Sequence, residues 1–526
     1  MDGACIRHTE LPGTSRLFAD YLYSFDRVDA FYRHSPRALD TLPDIARKIE
    51  FPDERRAALV SALRQQNGPS ANLDRLAQPG TVAVVTGQQV GLFSGPAYTI
   101  YKALTAVRLA RELSAQGTLA VPVFWLATED HDFPEISKAW VFGPSGEAVS
   151  VAVDAPAGSV DSPVGQLVPT RYPIDEMAEA LKGFDFAGEV VALVRHAYAP
   201  GRPLGAAFRD LLKGLLARFD LLYLDPLDPA IRAIGAPFIR QAIAAGADLY
   251  PALIERGKAL DQAGYHAQVH MDGQTSLFFL LRDGHRIPLR RQGDRYLSRD
   301  GSHSLVDLAG EAERISPNAL LRPVLQDYLL PTVAYVGGPA ELAYFAQSEV
   351  LYARLLGRMP MMLPRNGFTL VDARSAKLMD RYGFQLPALF AGETMLKESI
   401  AAQLLPERLK ALMAQSKTET AAVLNRLESE LRGFDGSLAK ALSTSRAKIE
   451  YQFGKIERKT ARESARRDDR AGQDAAHLSH LLYPHKHLQE RFHSILPFVA
   501  KHGFDLIDRI EEHTCIDCVD HHVMAI

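Results

Sequence analysis

The chain of 526 residues is 47% apolar, 23% charged and 8% aromatic, the composition of a globular protein too long for one simple core. Its formal net charge of −3 excludes a global field that would recruit nucleic acid or an anionic membrane, so neither is expected as a partner. Three cysteines are too few for a disulfide scaffold, and no signal peptide or membrane-spanning run is visible, so we expect a soluble cytoplasmic protein of two or three domains.

The first part of the chain predicts a parallel sheet. Residues 15–65 show the three-and-four apolar spacing of helices. A strand near 81–86 is followed by a helix from about Pro96 to Ala115, and then by a second strand near 121–127. Two apolar runs joined by a helix form a βαβ unit, whose strands run parallel.

The middle of the chain adds strands to this sheet and interrupts it with an insert. Further strands are predicted near 220–225, 332–336 and 359–364. The segment at roughly 262–310 instead consists of short runs separated by Asp-Gly and Gly-Asp pairs. Such pairs favour antiparallel hairpins, which we expect to lie outside the parallel sheet.

Residues 393–475 are predicted to be helical and to pair with a second copy of the chain. Apolar side chains recur seven apart in two sets, as in a coiled coil, at Leu424, Leu431 and Leu438 and at Leu442, Ile449 and Ile456. The step between the sets follows Gly433 and Gly436, which indicates a kink or turn. We therefore expect a two-fold homodimer formed through 393–475.

A glycine-rich turn, "TGQQVGLFSGP", follows the first predicted strand. Ligands bind beyond the carboxyl ends of parallel strands, where small residues allow close approach and the next helix offers free N–H groups. The alternative is a tight turn that only packs. The substrate-binding candidates from this half of the sheet are Gln88, Gln89, Ser94, Gly95, Tyr98, Thr99 and Lys102.

The motif "TEDHDF" follows the second predicted strand and supplies the catalytic candidates Asp130, His131 and Asp132. An imidazole beside carboxylates can act as a general acid or base. One histidine with two carboxylates could also hold a divalent metal, and a solvated helix-capping cluster is the third interpretation.

Substrate-binding candidates from the other half of the sheet are Asn318, Arg322 and Asn366. In "SPNALLRPVLQDYLL", Ser316 is predicted to cap a helix. Asn318, Arg322 and Gln326 are four apart and would share one face of it, where Arg322 could bind a substrate carboxylate. The alternative is an exposed helix side.

The last cysteines and histidines form a C-x2-C-x2-HH pattern made by Cys515, Cys518, His521 and His522. Zinc prefers such ligands, but no partner pair is visible near this end of the chain. We therefore expect incidental thiols rather than a zinc site.

Four long motifs in this order resemble the cysteine-adding enzymes of bacillithiol biosynthesis, the BshC family of cysteine ligases. They are "TGQQVGLFSGPAYTIYKALTAVRLA", "VPVFWLATEDHDFPEI", "SPNALLRPVLQDYLLPTVAYVGGPAELAYF" and "LYPHKHLQERF". The likeness runs from "LPGTSRLFADYL" to the C-terminus and so covers nearly the whole chain.

The resemblance implies an α/β fold with a Rossmann-like core like that of class I aminoacyl-tRNA synthetases, two connecting inserts and a dimerising helical coiled coil. The implied reaction adds cysteine to the amine of glucosaminyl malate. The domains would be 1–150 (first half of the core), 151–219 (mostly helical insert), 220–261 (core strand and helix), 262–315 (hairpin-rich insert), 316–392 (second half of the core) and 393–526 (coiled coil and tail).

Both nucleotide signatures of class I synthetases are missing from the chain. "GPAYTIYK" takes the place of the first, and "LPRNGFTLVDARSAK" stands where the second would be. A carboxylate needs activation before it condenses with an amine, so ATP or another adenine nucleotide with Mg²⁺ is the expected energy source. Another nucleotide-dependent group-transfer enzyme on this fold, or a non-catalytic coiled-coil scaffold, are the alternatives.

Overall fold

A five-stranded parallel sheet forms the centre of the protein in the computed structural model, which describes residues 4–299, 301–467 and 469–526. Its strands are Val82–Gln88, Ala120–Leu126, Leu222–Leu224, Thr332–Gly337 and Met361–Pro364. All the pairings between neighbouring strands of this central sheet are parallel. The five strand predictions are therefore confirmed.

The order of the strands places a binding crevice in the sheet. Numbered along the chain, they lie in the order 5-4-1-2-3, which is the Rossmann order read from the opposite edge. The switch point lies between the first strand, Val82–Gln88, and the fourth, Thr332–Gly337, which pair in parallel. The predicted Rossmann-like α/β fold is confirmed, and ligands of such folds bind beyond the strand ends at this point.

Alternate side chains of the first strand enter two different layers of helices. Val84 packs with residues of helix Tyr98–Ala115 on one face of the sheet. Val85 packs with residues of helix Asp53–Asn67 on the other face. Because both faces are covered, the strands are continuous apolar runs, and this makes them visible in the sequence.

The hairpin-rich segment forms a separate antiparallel sheet. Its strands are Thr275–Arg282, His285–Gln292, Arg295–Ser298, Gly301–Ser304 and Ile315–Pro317. The first turn contains Asp283 and Gly284, with φ values of 51° and 78°, as a type I′ hairpin requires. Within the described residues, none of these strands pairs with the central sheet, as predicted.

The prediction that Ser316 caps a helix is wrong, because Ser316 belongs to the last strand of the antiparallel sheet. The helix begins at Arg322. Its N-cap is Leu321, which makes no side-chain cap bond. The Oδ1 of Asn318 accepts hydrogen bonds in the turn before the helix, from the N–H groups of Leu320 at 3.0 Å and Leu321 at 3.1 Å. Asn318 therefore precedes the helix and does not share a face with Arg322.

The two ends of the described chain meet in a three-stranded sheet that the sequence did not predict. Ala4–Ile6 pairs antiparallel with His521–Ala525, and the latter pairs parallel with Gly367–Val371. Strands of three to five residues contain too few alternations to be recognised.

Two long helices, Glu407–Phe434 and Gly436–Arg467, fold back on each other and form the helical hairpin. The predicted turn is confirmed between them, at Asp435. Two ion pairs, Lys417–Glu457 and Glu428–Arg446, join the two helices. The pair nearer the turn links residues that are closer together in sequence, as expected for antiparallel helices. The heptad positions on either side of the turn therefore lie in antiparallel helices of the same chain.

Helices surround the sheets along the whole chain. Besides Asp53–Asn67 and Tyr98–Ala115, those before and within the core are Arg16–Tyr23, Leu42–Arg47, Ala71–Leu76, Phe133–Ile136, Ile174–Leu181, Ala187–Ala197, Leu204–Leu215, Pro229–Ala244, Gly246–Gln262, Leu305–Gly310, Arg322–Leu329 and Pro339–Leu355. Beyond the core, in addition to the helical hairpin, the helices are Ala373–Tyr382, Leu386–Leu389, Glu393–Gln403, Arg470–Leu482, Gln489–Phe492, Leu496–His502 and Asp505–His513. A separate two-stranded antiparallel ribbon is formed by Lys138–Phe142 and Ala148–Ala152. Across the described residues, no helix is long and apolar enough to cross a membrane.

Candidate active site

A cleft of about 660 Å³ opens beyond the carboxyl ends of the central strands, at the switch point of the sheet. The structure brings seven of the sequence-predicted site residues to its wall, Gln88, Gln89, Tyr98, Lys102, Asp130, Asn318 and Arg322. Further wall residues were not singled out from the sequence, and those that matter below are Trp125, Glu135, Phe279, Arg286, Tyr335, Glu341, Tyr344, Arg365 and Arg491.

A buried ion pair crosses the switch point. Lys102, on the helix after the first strand, contacts Glu341, on the helix after the fourth strand, with 2.7 Å between Nζ and Oε2. Burial lowers the pKa of Lys102, and the Glu341 carboxylate opposes that effect. Burial raises the pKa of Glu341, but the Lys102 ammonium and its hydrogen bond outweigh burial and hold that pKa below its usual range. The pair joins the two halves of the sheet at the base of the cleft.

Three arginines of the cleft have no carboxylate partner within ion-pair distance among the described residues. Arg286 donates to neutral acceptors, the Oγ of Ser316 at 3.0 Å and the carbonyl of Pro317 at 2.9 Å. Arg322 donates to the hydroxyl of Tyr344 at 3.0 Å. Arg491 lines the cleft as an exposed side chain. These three guanidinium groups are therefore available to bind a carboxylate or a phosphate.

A fourth arginine, Arg365, is neutralised by the C-terminal tail, by which we mean residues 483–526, after helix Arg470–Leu482. It lies where the strand Met361–Pro364 ends and forms a two-pronged pair with Glu490, with N–O distances of 2.8 and 2.5 Å. Glu490 also accepts a hydrogen bond from the N–H of Phe368 at 3.1 Å. Burial acts to raise the pKa of Glu490, but Arg365 outweighs it and brings the pKa to about 2. This pair fixes the tail against the active-site edge.

Two carboxylates and an amide form a polar wall on the side of the second strand. The Nε2 of Gln89 lies 2.7 Å from the carboxylate of Asp130 and 2.8 Å from that of Glu135. Burial raises the pKa of Asp130, but the bond from Gln89 and the charge of Arg286 outweigh it and lower the pKa overall. Gln88 donates to the hydroxyl of Tyr98 at 3.1 Å.

His131 and Asp132 lie beside this wall rather than on it. The Nδ1 of His131 is 3.0 Å from Nη1 of Arg286. Because a guanidinium only donates, Nδ1 accepts this bond and the ring proton is on Nε2. The imidazole therefore faces a cation. Asp132 caps the short helix Phe133–Ile136 by accepting from the N–H of Glu135 at 3.2 Å.

The glycine-rich turn, which we call the covered turn (residues 90–97), lies under the C-terminal tail. The Oγ of Ser494 donates to the carbonyl of Phe93 at 3.0 Å and lies 3.3 Å from the Oγ of Ser94. The N–H of Ala97 donates to the carbonyl of His493 at 2.8 Å. The start of this helix, whose free N–H groups were expected to bind a ligand, therefore bonds a carbonyl of the protein's own backbone.

Three predicted substrate-binding residues of this region do not reach the cleft. Ser94 is fully buried and bonds within the protein. Gly95 faces Thr99, since a Cβ at Gly95 would lie 3.6 Å from the Thr99 hydroxyl. Thr99 is also fully buried. A Cβ at Gly91 would lie 2.9 Å from the Cα of Gly95, so the glycines permit tight chain packing here, which was the alternative interpretation.

Asn366 also stays away from the cleft. Its Nδ2 donates to the carbonyls of Cys515 at 3.0 Å and Cys518 at 3.4 Å, and its Oδ1 accepts from the N–H of Cys515 at 2.7 Å. It is buried. The side chain thus holds the loop that precedes the final strand.

A second strand-to-helix turn, which we call the open turn (residues 337–341), takes the place expected for the first. Gly338, Pro339, Ala340 and Glu341 all line the cleft, at the start of helix Pro339–Leu355. Glu341 accepts from the N–H of Gly338 at 2.8 Å and from the hydroxyl of Tyr335 at 2.6 Å. This helix start faces the ligand space, where its partial positive charge favours anions.

The arginines and the glutamate that sequence reasoning missed come from separate places in the chain. Arg286 is in the hairpin-rich insert, Arg365 follows a core strand, and Glu490 and Arg491 are in the tail. Two features of the sequence could have indicated some of them. Arg365 directly follows a predicted strand, and Glu490 and Arg491 lie in the motif "LYPHKHLQERF". No periodicity pointed to the insert residue.

Comparisons with known proteins assign the chain along its whole length. Residues 1–366 match the model "Bacillithiol biosynthesis BshC, N-terminal Rossmann-like domain", and residues 368–526 match "Bacillithiol biosynthesis BshC, C-terminal coiled-coil domain". A protein of Solibacter usitatus named "Putative cysteine ligase BshC" is 51% identical, with 100% of both chains covered.

Two further relatives carry the same name. One from Koribacter versatilis is 37% identical, with 99% of each chain covered. One from Salinibacter ruber is 34% identical, with 97% of this chain and 96% of the relative covered. The matches extend through both the core and the helical hairpin, and the chain belongs to the BshC family of bacillithiol biosynthesis.

Proposed function

We propose that this protein is a cysteine ligase that joins the carboxyl group of cysteine to the amine of glucosaminyl malate. The observation that carries the proposal is the cleft at the switch point, with three arginines that have no carboxylate within ion-pair distance among the described residues. The names of the relatives point to the same activity. The product is an amide, so the enzyme forms a carbon–nitrogen bond.

The arginines suit the malyl part of the acceptor, which carries two carboxylates. Arg322 lies beside the open turn and can donate two parallel bonds to one carboxylate. Arg286 and Arg491 face the same space from the insert and the tail. The ring of Phe279 lies under the Arg286 guanidinium, at 3.9 Å from its centroid, and keeps its plane fixed.

The carboxyl group of cysteine must be activated before the amine attacks it. ATP or another adenine nucleotide supplies that activation in this proposal, and the carboxyl oxygen leaves with the phosphate-containing group. The positive charge of the cleft and the start of helix Pro339–Leu355 fit phosphate oxygens. Asp130 and Glu135 offer the oxygen ligands that Mg²⁺ prefers.

His131 is assigned the role of proton acceptor from the attacking amine. Its Nδ1 accepts a hydrogen bond from Nη1 of Arg286 at 3.0 Å. An anionic substrate group that binds Arg286 competes for that bond and releases Nδ1. Asp130 then lies 3.8 Å from Nδ1 and stabilises the protonated ring.

The helical hairpin is assigned the role of dimer interface. It exposes seven large apolar side chains, Leu412, Val423, Leu427, Phe434, Leu438, Tyr451 and Ile456. Phe434, at the turn, is 85% exposed. Pairing with a second copy of the hairpin in a two-fold homodimer would bury these apolar side chains. Light scattering at micromolar concentration tests this, and a monomer would contradict it.

The ligase activity is tested with isotopically labelled cysteine, glucosaminyl malate, ATP, Mg²⁺ and the purified protein. The expected result is a labelled amide thiol that forms only when the nucleotide is present. No labelled product with any nucleoside triphosphate would reject the ligase proposal for the isolated protein. Product formed with a different acceptor would favour another group-transfer reaction at this cleft.

The role of His131 is tested with His131→Asn, which keeps an acceptor for Arg286 near the position of Nδ1 but cannot take a proton. We expect turnover to fall about 10²–10⁴-fold while the KM for glucosaminyl malate stays within about threefold. Arg171→Gln, in an exposed pair with Glu176, is the control. Unchanged turnover in His131→Asn would remove the proton-acceptor role and leave the binding proposal intact.

A further inference from the structure

Three zinc-type ligands from opposite ends of the chain meet beside the terminal sheet. They are Cys5, Cys518 and His522, and their Sγ and imidazole nitrogen atoms all lie within 4.8 Å of one another. Cys5 and His522 are directly paired across the antiparallel strands Ala4–Ile6 and His521–Ala525. Cys5 and Cys518 are 513 positions apart in the chain, so only the tertiary fold brings them together.

Two of the three distances within this cluster match the edges of a zinc tetrahedron. Zinc binds cysteine sulfur at about 2.3 Å and histidine nitrogen at about 2.0–2.1 Å, which puts two sulfur ligands about 3.8 Å apart and a sulfur and a nitrogen about 3.6 Å apart. The two sulfurs, of Cys5 and Cys518, are 3.7 Å apart. The Sγ of Cys5 is 3.6 Å from Nδ1 of His522.

A disulfide does not explain this geometry. Its sulfur atoms would be about 2.05 Å apart, and it would leave the close approach of His522 without a purpose. The histidine is held in place by stacking on Phe368, with 5.1 Å between ring centroids. The ligand set of two sulfurs and one nitrogen is also the set that zinc prefers.

The loop that carries the second cysteine is anchored independently. Asn366 bonds the carbonyls of both Cys515 and Cys518 and accepts from the N–H of Cys515. Such support orients metal ligands in known sites. Cys515, in C-x2-C spacing with Cys518, lies outside the group of three side chains whose ligand atoms are within 4.8 Å of one another.

We propose that Cys5, Cys518 and His522 bind a structural zinc ion that fastens the two ends of the chain to each other. The sequence analysis expected incidental thiols because no partner for the C-terminal pattern was visible, and Cys5 is that partner. Of the two adjacent histidines in the C-terminal pattern, only His522 belongs to the site. The Nε2 of His521 lies 2.8 Å from the hydroxyl of Thr369 instead. His522 lies on the strand His521–Ala525, which pairs with Gly367–Val371 just after Arg365. A zinc ion at this site would therefore stabilise the tail where it packs on the cleft.

The test is the zinc content of the full-length protein purified under reducing conditions and dialysed after incubation with zinc chloride. We expect about one zinc ion per chain by elemental mass spectrometry. Cys5→Ser, Cys518→Ser and His522→Ala should each lose most of it, while His196→Ala, at an exposed helical histidine, should keep it. A wild-type protein without zinc, or ligand variants with unchanged zinc, would overturn the proposal.

A second measurement uses the unmodified protein, so it does not depend on the folding of variants. Replacing zinc with cobalt should produce the absorption of a tetrahedral site with thiolate-to-cobalt charge transfer. A chelator should lower the melting temperature, and added zinc should restore it. A cobalt spectrum without thiolate bands, or a melting temperature that the chelator leaves unchanged, would contradict a zinc site.

Discussion

The covered turn and the open turn have similar sequences and opposite surroundings. Each follows a strand of the central sheet, each contains glycines, and each leads through a proline into a long helix. The covered turn lies under Ser494 and His493 of the tail. The open turn lines the cleft through Gly338, Pro339 and Ala340.

This difference shows that a glycine turn at a strand end identifies an edge of the sheet rather than a ligand contact. Local sequence sets the turn, because small residues and a proline permit it. A distant segment decides whether the turn stays accessible. Here the tail, fixed by the pair of Arg365 and Glu490, closes one turn and leaves the other open.

Acid should produce the largest effect, and it should act on the covered side. Burial lowers the pKa of His493 and of His521 to about 4, while the unfolded chain binds the proton near pH 6.5. Between these values the unfolded state holds more protons, so stability falls as the pH falls. Each histidine contributes a slope of about 1.4 kcal/mol per pH unit, together about 5 kcal/mol from pH 6.5 to 4.5.

Urea unfolding at a series of pH values measures this slope. His493→Gln should remove about half of the contribution of these two residues, while exposed His196→Gln should not change it. His8 and His502, whose pKa values burial also lowers to about 4, add to the slope in the same direction. A pH-independent stability between 6.5 and 4.5 would contradict the buried, neutral state of these rings.

The next largest effect is expected for Glu490→Gln, which removes the charge that anchors the tail. Arg365 would remain buried without a counterion, a loss of about 3–5 kcal/mol in the free energy of unfolding. Glu176→Gln removes an exposed partner of Arg171 and should cost less than about 1 kcal/mol. Equal losses in the two variants would show that the tail is not held by this pair.

On the open side, Arg322→Gln should weaken acceptor binding. Losing a charge-assisted bond to a carboxylate costs about 1.5–3 kcal/mol, so the KM for glucosaminyl malate should rise about 10–100-fold. Arg171→Gln is the matched control for loss of an arginine charge. Circular dichroism checks the fold, because Arg322 also bonds Gln326 and Tyr344. An unchanged KM would remove Arg322 from the binding site.

The smallest effect is expected for Ser494→Ala on the covered side. It removes the bond to the Phe93 carbonyl and the one from the N–H of Leu496, with a loss of about 1 kcal/mol in stability. Activity should stay within about twofold, because the proposed ligand cleft lies outside the covered turn. A large rise in KM with unchanged stability would instead place substrate there.

The sequence predicted the central sheet because its strands are buried on both faces and read as continuous apolar runs. It located Lys102 through its position after the first strand and Arg322 through its spacing of four from Asn318 and Gln326, and both line the cleft. It could not place Ser94 or Asn366, since their environment is set by the tail and by the loop at Cys515. Contacts between segments hundreds of positions apart leave no periodic pattern.

The same limit applies to charge in the site. Arg286, Arg365 and Arg491 look like ordinary surface arginines in the sequence, and only the fold brings them to one cleft. Glu490 then neutralises one of the three and leaves the others available. A residue's function here depends on which partner it finds, and that partner lies in another part of the chain.

The most direct test of the cleft as the acceptor-binding site is a crystal structure of the protein soaked with glucosaminyl malate. We predict density for the malyl carboxylates within hydrogen-bond distance of Arg322 and beside the start of helix Pro339–Leu355, with the covered turn still closed by Ser494. Density for the ligand at the covered turn, or only on the helical hairpin, would contradict the assignment of the cleft.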